Sequence, residues 1–279
     1  MSIRRDGCEA AIDELLSVAR REALMLAIAT SALDDDAAAV AAARLRWAID
    51  AARPLVATRA ARHAEQLDRI ANRAQRWLVD EPLRSLPELA RLVDRAARRD
   101  HRAAAITADH AVLVDLDLDD LDLPGLSLTS ARLAEVSLRR ATCTAADARA
   151  SRWQRCALDR AGLAMAVFSD ARLERCDLLG AELTGTSWHR AGLVHSCLRG
   201  ATLVDARLDR ASFTDCDLRG ADLAIARSPH VATLAGARFL RCDLRDTDWR
   251  GRDLAGASFV DCRLWGARGA PRVAGGSPT

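Results

Sequence analysis

Eight cysteines, six histidines and five aspartates crowded into one short run are the side chains of this chain with chemistry to offer. Spacing decides what they can do. No CxxC, HxxxH or HExxH pattern occurs, so neither a zinc centre nor a metalloprotease site is spelled out. The run LVDLDLDDLDLPG carries Asp115, Asp117, Asp119, Asp120 and Asp122, yet it lacks the glycine at the sixth place and the glutamate at the twelfth of an EF-hand loop. Phosphate-cradling glycine loops and GxSxG nucleophile elbows are likewise absent from the sequence. Five cysteines follow a rule of their own. Cys156, Cys176 and Cys216 are 20 and 40 residues apart, and Cys242 and Cys262 are 20 apart.

That interval is four times a shorter one. The stretch CDLRGADL, from Cys216, repeats a small residue, an acid and a leucine every five positions, and CDLLGAEL from Cys176 and CDLRDTDW from Cys242 do the same. Stepping by five from Leu113 to Leu223, and again from Leu234 to Leu264, meets 30 positions, of which 28 are Leu, Phe or Trp. Two places before them stand 16 Ala, 5 Cys and 4 Ser or Thr. Residues two apart on an extended segment face the same way, so the large and the small residue point inward while the one between meets water. The other two residues turn a corner. A period of five is a solenoid signal, and four sides per coil make the cysteines a single column of small packing groups. Cys216 to Cys242 is 26 residues, so a six-residue loop around IARSPHV, near 225–231, is expected to leave the wall. One side then reads Leu138, Leu158, Leu178, Leu198, Leu218, Leu244, Leu264; the side before it reads Trp153, Leu173, Leu193, Phe213, Phe239, Phe259. Cys143 and Ala148 underfill one coil, and Arg252 occupies a small inward slot; irregular packing is expected at both places.

From about Ala111 to Ala267 this grammar resembles the pentapeptide-repeat family. The resemblance implies a right-handed quadrilateral parallel β-helix, here of about seven coils and roughly 35 Å at strand-like spacing. Some members of that family, the quinolone-resistance and topoisomerase-inhibitor proteins, imitate duplex DNA and engage gyrase. Mimicry needs a strongly negative surface, whereas residues 111–270 hold 22 acids and 22 arginines.

The first 105 residues read as an α-helical bundle domain of about four helices. Ile12, Leu15, Leu16, Ala19, Ala23, Leu26 and Ala27 form an apolar stripe at steps of three and four. Asp34 to Asp36 can cap a second helix, which Pro54 is expected to end or kink. Ser85 is the expected cap of a last helix. The segment is expected to cover the first coil, whose aspartates should face solvent. Residues 106–268 are the β-helix, and 269–279, rich in Gly and Pro, read as a flexible tail.

All 41 basic residues are arginine, a usage that fits coding bias in a GC-rich, bacterial genome. The start MSIRRDGCEAAIDELL has acids where a signal peptide is apolar, and Ala23 to Leu33 is too short to span a bilayer, so a cytoplasmic protein without membrane contact is expected. A narrow shaft filled with Leu and Ala has no room for converging catalytic groups. The expectation is therefore a non-enzymatic protein–protein interaction scaffold with no cofactor and no metal. The partner is an unknown protein, the helical domain a candidate for self-association, and direct nucleic-acid binding is not expected. A DNA-mimicking gyrase-binding protein is the alternative. The candidate contact residues are Ser228, Pro229 and His230 on the loop, and Trp265, which falls one place after an inward leucine near the free end. His189 and His195 should lie outside near a corner, and Trp188 inside.

Overall fold

The computed structural model describes residues 3–32, 34–56, 61–74, 106–225 and 234–269. The corner of each side is made by the last of its five residues. Every fifth residue from His110 to Asp170 has a positive φ, between 50° and 66°. Left-handed backbone costs an L-residue about 1–2 kcal/mol, and many corners accordingly carry glycine, such as Gly200 and Gly220 at 64° and 65°. Others carry Ala, Asp or Arg. At the exposed corner Ala150 (φ 56°) the strain outweighs glycine's extra chain entropy. Ala150→Gly should therefore raise unfolding stability by about 0.5–1 kcal/mol in a urea melt.

Between corners each side bonds to the coils before and after it. Leu158 N donates to Asp177 O (2.6 Å) and Asp177 N to Cys156 O (2.9 Å), an arrangement repeated along the chain. One side of every coil is regular enough to be strand: β1 (Val112–Val114), β2 (Arg132–Ala134), β3 (Arg152–Gln154), β4 (Arg172–Glu174), β5 (Gly192–Val194), β6 (Ser212–Thr214), β7 (Arg238–Leu240) and β8 (Ser258–Val260). They form one sheet in chain order, and β2 to β8 are parallel pairs. The chain thus contains a four-sided parallel β-solenoid of about seven coils and, among the described residues, three N-terminal helices.

The registers place Trp153, Leu173, Leu193, Phe213, Phe239 and Phe259 in one inward file, as the spacing predicts. Phe213, Phe239 and Phe259 stack face to face with centroids 4.9 and 5.0 Å apart, one ring per coil. Ser212 pairs with Arg238 and Asp222 with Asp248, an offset of 26 where the earlier steps are 20. Ile225 N still bonds Arg250 O and Arg210 N bonds Ala235 O, so the six extra residues fall between 225 and 234. The expected loop residues Ser228, Pro229 and His230, and the tail from 270, lie outside the described residues.

At Cys143 and Ala148 the backbone ladder is unbroken: Thr142 bridges Gly162 and Asp147 bridges Val167. One expectation about the interior is corrected. In the first coil Asp117 and Asp119 are buried, at 4% and 6% exposure, not solvated. Helix α1 (Ile3–Ser31) supplies the reason. Arg20 Nε lies 3.2 Å from Asp117 Oδ1, and Ser31 Oγ accepts from Val112 N at 3.0 Å.

Arg252 is irregular in the expected sense and has a definite role. Its side chain is buried, Nη1 donating to Ala206 O at 2.8 Å, Nη2 to Leu203 O at 3.2 Å, and Nε to Leu223 O. At an ordinary corner the central leucine's carbonyl takes the amide three residues on, as Leu158 O takes Ala161 N. Leu223 precedes the insertion, and the guanidinium supplies a donor to its carbonyl. Burial lowers the Arg252 pKa to about 10, which still leaves it charged at neutral pH.

The helices and residues 112–121 make one compact unit; 106–111 and 122 onward make the other. Helix α1 (Ile3–Ser31), α2 (Asp35–Val56) and α3 (Ala61–Ala74) enclose a core of Ile12, Leu16, Leu45, Ile49, Leu67 and Ile70, with alanines between. Asp34 caps α2, its Oδ1 accepting from Ala37 N at 3.0 Å. That helix continues two residues past Pro54, to Val56. The helix expected after Ser85 lies outside the described residues. Among those described, no helix is long and apolar enough to cross a membrane.

Candidate interaction surfaces

The acid of CDLRG fastens the corner that follows it. Asp217 Oδ1 accepts from Arg219 N at 3.1 Å, and its Oδ2 from Arg219 Nη2 at 2.6 Å. Asp243 with Arg245, Asp248 with Arg250 and Asp147 with Arg149 repeat the clasp. Other arginines reach a carboxylate one coil away: Arg155 to Glu135 at 2.6 Å, Arg190 to Asp170 at 2.8 Å, Arg241 to Asp215 at 2.6 Å. Hydrogen bonds from Arg219 and Arg245 hold the Asp217 and Asp243 carboxyls below the usual range. A folded pKa below the unfolded value, about 3.9, gives stability that is complete above that pH and lost as pH falls through the folded pKa. Melting temperature should thus hold from pH 7 to about 5 and drop below about 4. Asp217→Asn with Asp243→Asn should flatten that acid limb.

The strand side departs from this pairing. Arg132, Arg152 and Arg172 are exposed and stand in register, one per coil. Arg132 and Arg152 have no ion-pair partner among the described residues, nor does Arg175 at the corner after β4. Arg172 bonds only carbonyls, those of Ala171 and Arg190. It leans over Gly192, where an added Cβ would lie 3.2 Å from Arg172 Cδ.

Of the residues singled out in the sequence, Trp265 is 74% exposed. His195 lies outside, with a half-exposed side chain, and Trp188 is fully buried. Cys156, Cys176, Cys216, Cys242 and Cys262 occupy one column, and their Sγ atoms donate to carbonyls two residues back. Burial pushes the Cys143 thiol up to about 12, so it is not a nucleophile at neutral pH. No cluster able to hold a metal occurs among the described residues.

Among the described residues the first unit has a cleft of about 400 Å³ lined by Asp13, Ser17, Arg20, His63, Gln66 and Asp120. His63, 2% exposed, has Nε2 3.0 Å from Asp13 Oδ1 and leaves Nδ1 without a partner. A base and its orienting carboxylate are therefore present. Ser17, which lines the same cleft, makes no hydrogen bond to either His63 nitrogen, so it does not complete a triad with them.

Sequence reading missed two pairings that local motifs do record. One is Asp-x-Arg, the clasp above, in DAR, DLR and DWR. The other is Ser/Thr-x-Trp. In SRW, TSW and TDW the inward hydroxyl accepts the indole N–H: Trp153 to Ser151 at 2.7 Å, Trp188 to Thr186 at 2.9 Å, Trp249 to Thr247 at 2.7 Å. The arginine file was visible too, in ARL, SRW and ARL spaced by 20.

A four-sided coil with small and large inward residues and left-handed corners defines the pentapeptide-repeat class, and the solenoid of this chain is a pentapeptide-repeat domain. The profile described as Pentapeptide repeats matches it in eight copies, over residues 166–203, 189–223 and 232–268. Among solved structures the chain is similar to full-length QnrB1, a plasmid-mediated fluoroquinolone resistance protein, at 15% identity over 58% of this chain and 93% of that one, with a TM-score of 0.33. HetL, a pentapeptide repeat protein involved in heterocyst differentiation regulation in the cyanobacterium Nostoc sp. strain PCC 7120, aligns at 20% identity over 64% and 93%, TM-score 0.21. A pentapeptide repeat protein of the Arabidopsis thaliana thylakoid lumen aligns at 26% over 40% and 64%, TM-score 0.21. No curated protein matches the chain significantly.

Proposed function

We propose that this chain is a non-enzymatic, cytoplasmic docking scaffold, in which the solenoid presents stacked flat sides to a protein partner and the helical domain provides a second docking or self-association surface. One observation carries the reading. Inward positions are mostly Leu, Phe, Trp, Ala and Cys, and the polar exceptions Ser151, Thr186, Ser196, Thr247 and Arg252 spend their hydrogen bonds inside, so the chemical variety open to a partner lies on the outer sides. Extended repeat surfaces of this kind suit partner binding. Contact would centre on the loop bearing Ser228, Pro229 and His230, where one side is interrupted, and on Trp265 near the last coil.

A DNA-mimicking, topoisomerase-binding role is the second reading, favoured by that interrupted side. Against it stands the arginine file on the strand side, opposite in sign to a DNA mimic. Affinity capture with the full chain, followed by mass spectrometry, separates the two. The scaffold reading expects a specific protein whose recovery falls with Trp265→Ala or with deletion of residues 225–230 while the melting temperature holds. Capture of gyrase, with inhibition of supercoiling by the pure chain, would establish the second reading in its place. Recovery of no specific protein would sink both.

A further inference from the structure

We infer that the strand side over β2 to β4 is a docking strip for an acidic polypeptide segment, with Arg132, Arg152 and Arg172 as its contacts; this rests on the scaffold reading and gives the partner its chemistry. The argument is a contrast within one solenoid. On the neighbouring sides and corners many arginines are matched to carboxylates in the same or an adjacent coil, as in Arg219 with Asp217, Arg190 with Asp170 and Arg155 with Glu135; Arg160, Arg175, Arg199 and Arg210 have no ion pair among the described residues, and they stand singly rather than in a file. On the strand side three arginines are stacked in register instead, one per coil, with no carboxylate among the described residues within ion-pair distance of any of them. Like charges directly opposite one another on neighbouring strands destabilise a sheet. The surrounding repeat relieves such repulsion elsewhere with an aspartate 20 residues away, a substitution open to this file as well. Repulsion along this file, eased only at Arg172 by the charge of nearby Asp170, is what an incoming carboxylate would cancel.

The width of the strip selects the occupant. Glu174 lies two residues beyond Arg172 on the same strand, and Glu135 and Asp170 stand at the two flanking corners. A wide polyanion such as duplex DNA would lie across those acids. A narrow acidic segment can follow the single file of guanidiniums and take bidentate bonds from each. The flat strand faces and the absence of any exposed aromatic among β2 to β4 also leave nothing for bases to stack on.

The test is fluorescence anisotropy with a fluorescein-labelled dodecaglutamate peptide and the full chain at about 50 mM salt, where surface charges are weakly screened. Binding is expected, falling as salt rises, and Arg132→Gln with Arg152→Gln should weaken it at least fivefold. Arg219→Gln with Arg245→Gln removes the same net charge from clasped positions and should change it less than twofold. The Arg132/Arg152 variant should melt at the parent temperature or above, since repulsion has been removed. No binding, equal loss in the clasp variant, or tighter binding of a 20-base-pair duplex through the same arginines would overturn the inference. Capture separates the levels: a partner retained unchanged by the Arg132/Arg152 variant sinks the acidic strip alone, whereas absence of any partner sinks the scaffold reading.

Discussion

Leu198→Arg should unfold the middle of the solenoid, while Cys197→Arg, one residue earlier, should leave it standing. Leu198 has no exposure and sits in the leucine column between Leu178 and Leu218, where its amide bonds Asp217 O at 2.7 Å. Losing its burial removes about 1.5–3 kcal/mol. Placing an unpaired guanidinium in the shaft adds several kcal/mol more. The total rivals the ~5–15 kcal/mol by which a domain is held folded. Coils depend on nearest neighbours, so the damage should spread both ways from the fifth coil. Cys197 is half-exposed and bridges Asp177 on one side and Asp217 on the other. An arginine there would meet carboxylates in both adjacent coils, and stability should change by less than about 0.5 kcal/mol. Far-ultraviolet circular dichroism and thermal melts distinguish the two variants. If Leu198→Arg melted like the parent, the inward assignment of that column would be wrong.

The neighbouring pair shows why so much of the fold could be read in advance. A coil's period sets which residues face the shaft, and the choice between Leu198 and Cys197 is a matter of counting. The 26-residue step between Cys216 and Cys242 even located the insertion, because only one loop length keeps Phe213, Phe239 and Phe259 in a stack. What periodicity could not supply was lateral chemistry. No repeat rule connects the buried Asp117 with Arg20, some hundred residues earlier and on a helix. The role of Arg252 depends on the carbonyl of Leu223, 29 residues away across an insertion. The arginine file was legible as letters, in three strands spaced by 20, but its meaning needed the map of which other arginines are paired. The alternation rule sorted inside from outside and carried no information about partners along the outside.

Thr186→Val should cost more than the loss of one hydroxyl suggests, and the reason is the indole it serves. Trp188 is fully buried and donates its N–H to Thr186 Oγ1, which in turn donates to Leu183 O at 2.6 Å. Valine keeps the shape and fills the same small slot, so packing changes little. The indole donor is left without a partner in an apolar shaft, a penalty of about 1–3 kcal/mol. The Leu183 carbonyl still receives Thr186 N at 3.2 Å, so the larger part of the loss belongs to the tryptophan. Replacing both members, Thr186→Val with Trp188→Phe, removes donor and acceptor together. Phe168 already stacks on Trp188 at 4.3 Å and 7°, and a phenylalanine ring can keep that stack while leaving some void. The double variant should accordingly lose less stability than the two single losses added, with a coupling of about 1 kcal/mol in a double-mutant cycle. Thr247 and Trp249 offer a second copy of the pair, in another coil, with a bond of 2.7 Å. Strict additivity at both sites would mean the indoles are satisfied in some other way, and the Ser/Thr-x-Trp pattern would then be coincidence rather than a rule for admitting tryptophan to the shaft.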